Sequence, residues 1–112
     1  MSSNVAYAHY AILGKIAFVQ FSLTATAAGA AGGITVTGVP AAIEPADTGN
    51  VPIGVGLILD GSVAWYPSVL TASSANTYQF FGYAETDILG LDPAFELANN
   101  DLVQGQAVYK IA

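Results

Sequence analysis

The sequence predicts an all-β fold, an antiparallel, jelly-roll-like β-sandwich of seven or eight strands in two sheets. Three observations carry this. No stretch sustains helical periodicity. Short runs alternate apolar and polar residues or are rich in β-branched and aromatic ones, and turn residues punctuate them at spacings typical of sandwiches and barrels. The 112 residues fit one domain around one core.

Each element has its own signal. From Lys15, the run Ile16-Ala17-Phe18 leads into Val19-Gln20-Phe21-Ser22-Leu23-Thr24, whose odd positions are apolar and even ones polar; this is a long half-buried strand. Residues 27–33 are only Ala and Gly, a flexible connector to the β-branched strand Ile34-Thr35-Val36-Thr37, so these two strands are expected to form a hairpin. Pro40 ends the second strand, and Pro45, Asp47, Gly49 and Asn50 mark a loop. Val51 to Leu59 resumes as strand. Asp60-Gly61 then supplies the dipeptide that tight hairpins prefer, and Ser62 to Trp65 returns as the partner.

Pro67 marks an edge or a bulge, Thr71 to Asn76 a polar turn, and Thr77 to Ala84 an aromatic-rich strand. Successive residues of a strand point to opposite faces, so Phe80 and Phe81 cannot both enter one core, and one of them is expected to meet a neighbouring subunit. Glu85 to Asp101 holds most of the acids, with a helical turn expected at Pro93 to Leu97 capped by Asp92. Leu102 to Ile111 closes the chain as a strand with Ala107, Tyr109 and Ile111 on one face.

Composition excludes several functions. Lys15 and Lys110 are the only formal cations and the net charge is −6, so neither counterion release from nucleic acid nor attraction to anionic lipid can drive binding. Lys15 and Gln20 interrupt the apolar stretch from Ala11 to Val36, and its period of two contradicts a membrane helix or signal peptide, although Ala25-Thr26-Ala27 imitates a cleavage site. With no cysteine there is no disulfide or thiolate metal site. Only 9% of residues are charged while 54% are apolar, against about 25% charged in typical soluble domains. A monomer of this mass has about 5,800 Å² of accessible surface, and ten charges cannot cover it in the usual way. Part of that surface is expected to be buried between subunits.

Candidate sites are few. His9 is the only histidine; no G-x-S-x-G turn or comparable setting gives it a nucleophile, so it reads as a surface or subunit contact and no catalytic residue is assigned. Asp87, Asp92, Glu96 and Asp101 are hard oxygen donors, but they lack the spacing and turn glycine of an EF-hand loop, and they read as solvated loop acids and caps, with no metal or cofactor assigned. The run Gly29 to Gly33 lacks the lysine and helix of a phosphate cradle. Trp65 and Tyr66, with Tyr78, Phe80, Phe81 and Tyr83, can be read as a sugar-stacking platform or as core and intersubunit packing; the second is commoner.

Tyr10, Gly14-Lys15-Ile16, the strand to Leu23, the run Ile34-Thr35-Val36-Thr37-Gly38-Val39-Pro40, Gly54-Val55-Gly56, and Asn100-Asp101-Leu102-Val103 before Gly105 and Tyr109 form an ordered set. In order and spacing, from Tyr10 to Tyr109, it resembles the C-terminal domains of phage tail-fibre and baseplate receptor-binding proteins and the related capsid decoration and head-fibre proteins, particularly those of actinobacteriophages. The resemblance implies a trimeric β-sandwich without catalytic residues, displayed on the virion surface. Fibre tips follow a stalk, whereas here about nine residues precede Tyr10, so a decoration protein is expected, a trimer bound to the major capsid protein on the capsid exterior. Residues 1–9 then form an arm that grips the shell or swaps between subunits, and residues 10–112 form the sandwich, with Tyr7, His9, Tyr10 and Phe81 as capsid or subunit contacts. If the chain belongs to a longer protein, the alternative is a receptor-binding tip that presents Trp65 and Tyr66 to host glycan.

Overall fold

The computed structural model describes residues 3–26, 33–61, 64–82 and 97–112. Among these, seven strands form one antiparallel sheet: β1 (Ser3–Leu13), β2 (Ile16–Ala25), β3 (Thr35–Thr37), β4 (Val51–Asp60), β5 (Ala64–Ser74), β6 (Thr77–Gly82) and β7 (Leu102–Lys110). They are hydrogen-bonded in the order β1-β2-β7-β4-β5-β6-β3, and a 3₁₀ turn, Ala41–Ile43, lies between β3 and β4. The expected all-β, antiparallel chain of seven or eight strands is met by seven among the described residues. In place of two separate sheets there is one continuous sheet that curls.

The curl follows from the aromatic contacts. β2 and β6 are four places apart in the sheet, about 19 Å if it were flat. Phe21 of β2 nevertheless lies 6.1 Å from Tyr78 and 6.4 Å from Phe80 of β6, centroid to centroid. The core lies inside the curl, where Ala17, Val19, Phe21, Ile58, Leu70, Tyr78, Phe80, Val103, Ala107 and Tyr109 are buried together. Glycines let the layers approach. A Cβ on Gly56 would lie 2.6 Å from the Phe80 ring, and one on Gly105 would lie 2.7 Å from that of Phe21.

Two pairings differ from the sequence expectation. β2 pairs with β1 and β7, and β3 pairs with β6, so β2 and β3 are not a hairpin. The nearer partner of β2 is β1, joined to it by the short turn at Gly14-Lys15, where Gly14 takes a positive φ of 62°. Residues assigned to an arm ahead of the first strand thus lie within β1, which runs unbroken across residue 9 and forms one edge of the sheet.

The Asp60-Gly61 hairpin forms as expected, with Asp60 opposite Ala64 and Gly61 at φ +56°. The return strand continues through Pro67 and through most of the segment expected as a turn, to Ser74. Among the described residues, the pairing of β6 with β5 runs no further than Ser68, so none of its hydrogen bonds calls on an N–H at residue 67. Pro52 sits similarly, beyond the pairing of β4 with β7, which stops at Gly54.

Asp101, expected among the loop acids, is fully buried. Its carboxylate accepts the Gly61 N–H at 2.5 Å and the Ala98 N–H at 2.7 Å, which ties the hairpin tip to the start of β7. The connector at 27–32, the acids Asp87, Asp92 and Glu96, Tyr83, most of the turn at Pro93–Leu97, and residues 1–2 lie outside the described residues.

Candidate functional site

Residues paired across an antiparallel sheet share a face, so the registers define what each side presents. Ala17, Val19 and Phe21 on β2, with Tyr109, Ala107 and Val103 on β7, turn into the curl. The alternate residues face outward, and one row crosses six strands as Phe81, Val69, Val55, Gln106, Gln20 and His9. The neighbouring rows carry Ala11, Phe18 and Val108 on one side, and Tyr7, Ser22, Gln104 and Leu57 on the other.

The solvated face of an antiparallel sheet is normally polar. Here it is not. Leu13 is 74% exposed, Val108 54%, Val55 49% and Phe18 45%, and Tyr7 and Ile16 are exposed as well. Over β1, β2, β7 and β4 this face carries no carboxylate and one formal charge, Lys110, opposite Ile16 at its end. It is concave. A groove of about 510 Å³ is lined by Phe18, Gln20, Val55, Gln106 and Val108 among others, and a second of about 260 Å³ adjoins it at Gln20, Val55 and Gln106.

The polar groups of this face bond mainly to one another. His9 Nε2 meets Gln20 Oε1 at 3.2 Å, Gln20 Nε2 donates to Gln106 Oε1 at 3.3 Å, and Gln104 Nε2 donates to Ser22 Oγ at 3.1 Å. The rings of Tyr7 and His9 stack with centroids 5.4 Å apart.

The sequence-derived contact residues divide by face. Tyr7 and His9 lie together on the outer face of β1, and Phe81 lies half-buried on the outer face of β6, opposite in pleat to the fully buried Phe80. Tyr10 pairs with Val19 and so belongs to the inner face, yet it stays 45% exposed because β1 is an edge. Trp65 is exposed on the outer face, whereas Tyr66, opposite Ile58, packs against the core. Trp65 and Tyr66 therefore do not form one platform, and Tyr78 and Phe80 are core.

The sequence reading missed Phe18, Gln104, Gln106 and Val108. Their signal was present: Phe18 breaks the polar phase of its strand, and Gln104-Gly105-Gln106 puts two amides on one face. No family model, no curated protein and no solved structure matches the chain.

Proposed function

We propose that this protein is a non-enzymatic structural component of a bacteriophage virion, a decoration protein that binds the outer capsid surface and stabilises the shell. Its fold is read as a jelly-roll variant in which the two layers stay joined, working as the trimer that the resemblance implies. The observation that carries the structural reading is the apolar outer face of β1, β2, β7 and β4, which has no carboxylate, of the kind that marks an interaction surface. The phage assignment rests on the resemblance of the motifs between Tyr10 and Tyr109.

Binding only to the assembled shell would raise its stability by mass action. β1 suits the contact, because its eleven residues carry no Asp, Glu, Lys or Arg and one edge has no partner strand among the described residues. Labelling virions for the protein in electron micrographs tests the reading: label over the head is expected, and label confined to the tail end overturns it. Removing residues up to Tyr7 is expected to weaken binding to tailless heads, and undiminished binding removes β1 from the contact.

One observation favours a second reading, a receptor-binding tip for host glycan. Trp65 presents half of its surface to solvent just after the Asp60-Gly61 turn, and an exposed indole is suited to stacking on a sugar ring. Adsorption of the purified protein to host cells, lost in Trp65→Ala, would favour it.

A further inference from the structure

We propose that the outer face of β1, β2, β7 and β4, centred on Phe18, Val55 and Val108, is the surface through which one copy of this chain binds another. The inference deepens the homo-oligomer part of the reading above and is independent of its phage part.

Four properties point to a second copy as the occupant. The first is charge. The chain carries −6, so two copies repel least when they meet where carboxylates are absent, and this face has none. A strongly basic partner would instead be drawn to acidic surface and would gain nothing from a neutral one.

The second is area. Four strands wide and as long as the nine-residue β7, the face covers on the order of 600 Å² in plan, at about 4.8 Å per strand and 3.4 Å per residue. Side-chain relief adds to that, which brings it to the scale of the ~800 Å² that each partner contributes to a standard interface.

The third is shape. Leu13, the most exposed of the large apolar side chains, projects at the hairpin end of the same face whose middle is the 510 Å³ groove. A projection on one copy can enter the recess of the next, and such head-to-tail contacts close into a ring where the rotation between successive copies closes.

The fourth is polar satisfaction. The His9–Gln20–Gln106 ladder and the Gln104–Ser22 bond already pair most of the amide groups, so covering them strands few polar atoms. Gln106 Nε2 has no partner among the described residues and is left to donate across the contact.

Sedimentation velocity over a wide range of concentration tests this, with folding followed by far-UV circular dichroism. The wild type is expected to sediment as a multimer of the 11.4 kDa chain. Phe18→Lys and Val108→Lys are expected to be folded monomers, while Trp65→Lys, outside these four strands, keeps the wild-type assembly. Should the lysine variants misfold, Gln106→Glu preserves the acceptor for Gln20 and places like charges within the contact. Its association is expected to fall at least tenfold and to recover partly in high salt.

A monomeric wild type, or folded face variants that assemble as the wild type does, would overturn the proposal. A monomer that still binds phage heads would overturn self-association and leave the capsid reading intact. A multimer that binds no heads would do the reverse.

Discussion

The hydroxyls of Tyr78 and Tyr109 meet at 2.5 Å inside the curl and join β6 to β7 across the core. Tyr109 donates its single proton to the carbonyl of Ile43 at 2.7 Å, so Tyr78 must be the donor to Tyr109. The two rings thereby fix the 3₁₀ turn, one wall of the curl and the other into a single buried chain of hydrogen bonds.

Removing the middle of that chain costs more than removing its end. Tyr109→Phe leaves the Tyr78 hydroxyl and the Ile43 carbonyl unpaired and is expected to destabilise by about 2–4 kcal/mol, whereas Tyr78→Phe, which leaves the bond to Ile43 intact, costs about 1–2 kcal/mol. Urea unfolding of the two variants measures the order, and a larger loss in Tyr78→Phe would contradict the donor assignment.

The same pair makes the fold sensitive to alkali. Burial, reinforced by the hydrogen bond from one ring to the other, pushes the Tyr78 hydroxyl above its ordinary value, and burial pushes Tyr109 up as well. Unfolded, each titrates near pH 10. Between that pH and the raised native values the unfolded chain binds fewer protons than the native one, so stability is fully present below about pH 10 and falls as pH rises further. Melting temperature is expected to decline above about pH 10 and to decline less steeply in Tyr78→Phe, which lacks one of the linked protons.

The glycines of β4 and β7 should rank by what a methyl group meets. On Gly54 it would lie 2.0 Å from the Gln106 carbonyl oxygen, which is backbone and cannot yield without parting β4 from β7. Gly56 and Gly105 face the rings of Phe80 and Phe21, which can shift at some cost. Gly54→Ala is expected to lose more than about 3 kcal/mol, and Gly56→Ala and Gly105→Ala about 1–3 kcal/mol each. Urea midpoints give the ranking, and a tolerated Gly54→Ala would show that the two strands can separate.

Asp101 acts as a clamp, so its oxygen atoms matter more than its charge. Asp101→Ala removes the acceptor for both Gly61 and Ala98 and is expected to cost about 2–4 kcal/mol; Asp101→Asn keeps one acceptor oxygen and should cost about half as much. Hydrogen exchange at the Gly61 amide localises the effect, which should be faster in both variants than in the wild type.

The alternation of Val19 to Thr24, the Asp60-Gly61 turn, the opposite pleat of Phe80 and Phe81, and the inward face of Ala107 and Tyr109 were all legible in the chain, because each depends on residues adjacent in sequence. The pairing of β2 was not. Ile34 to Thr37 is as good a strand partner by local chemistry as Ser3 to Leu13, and the choice falls to loop length and to where each strand can bury its apolar face. Pro67 read as an edge or bulge because the sequence does not show how far β6 extends along β5.

The candidate site divides in the same way. His9 and Tyr7 stood out by residue type, but Gln20, Gln106 and Phe18 acquire meaning only once the register sets them in rows on one face. The sequence by itself determined an all-β chain with too few charges for its surface, since composition and period-two patterning are local quantities. The tertiary structure alone decided that the sheet is continuous and curled, and that Tyr7, Leu13, Ile16, Phe18, Val55 and Val108 lie exposed together on the outer face of β1, β2, β7 and β4. Strand order is a non-local outcome of which faces can be buried together, and no short stretch of sequence encodes it.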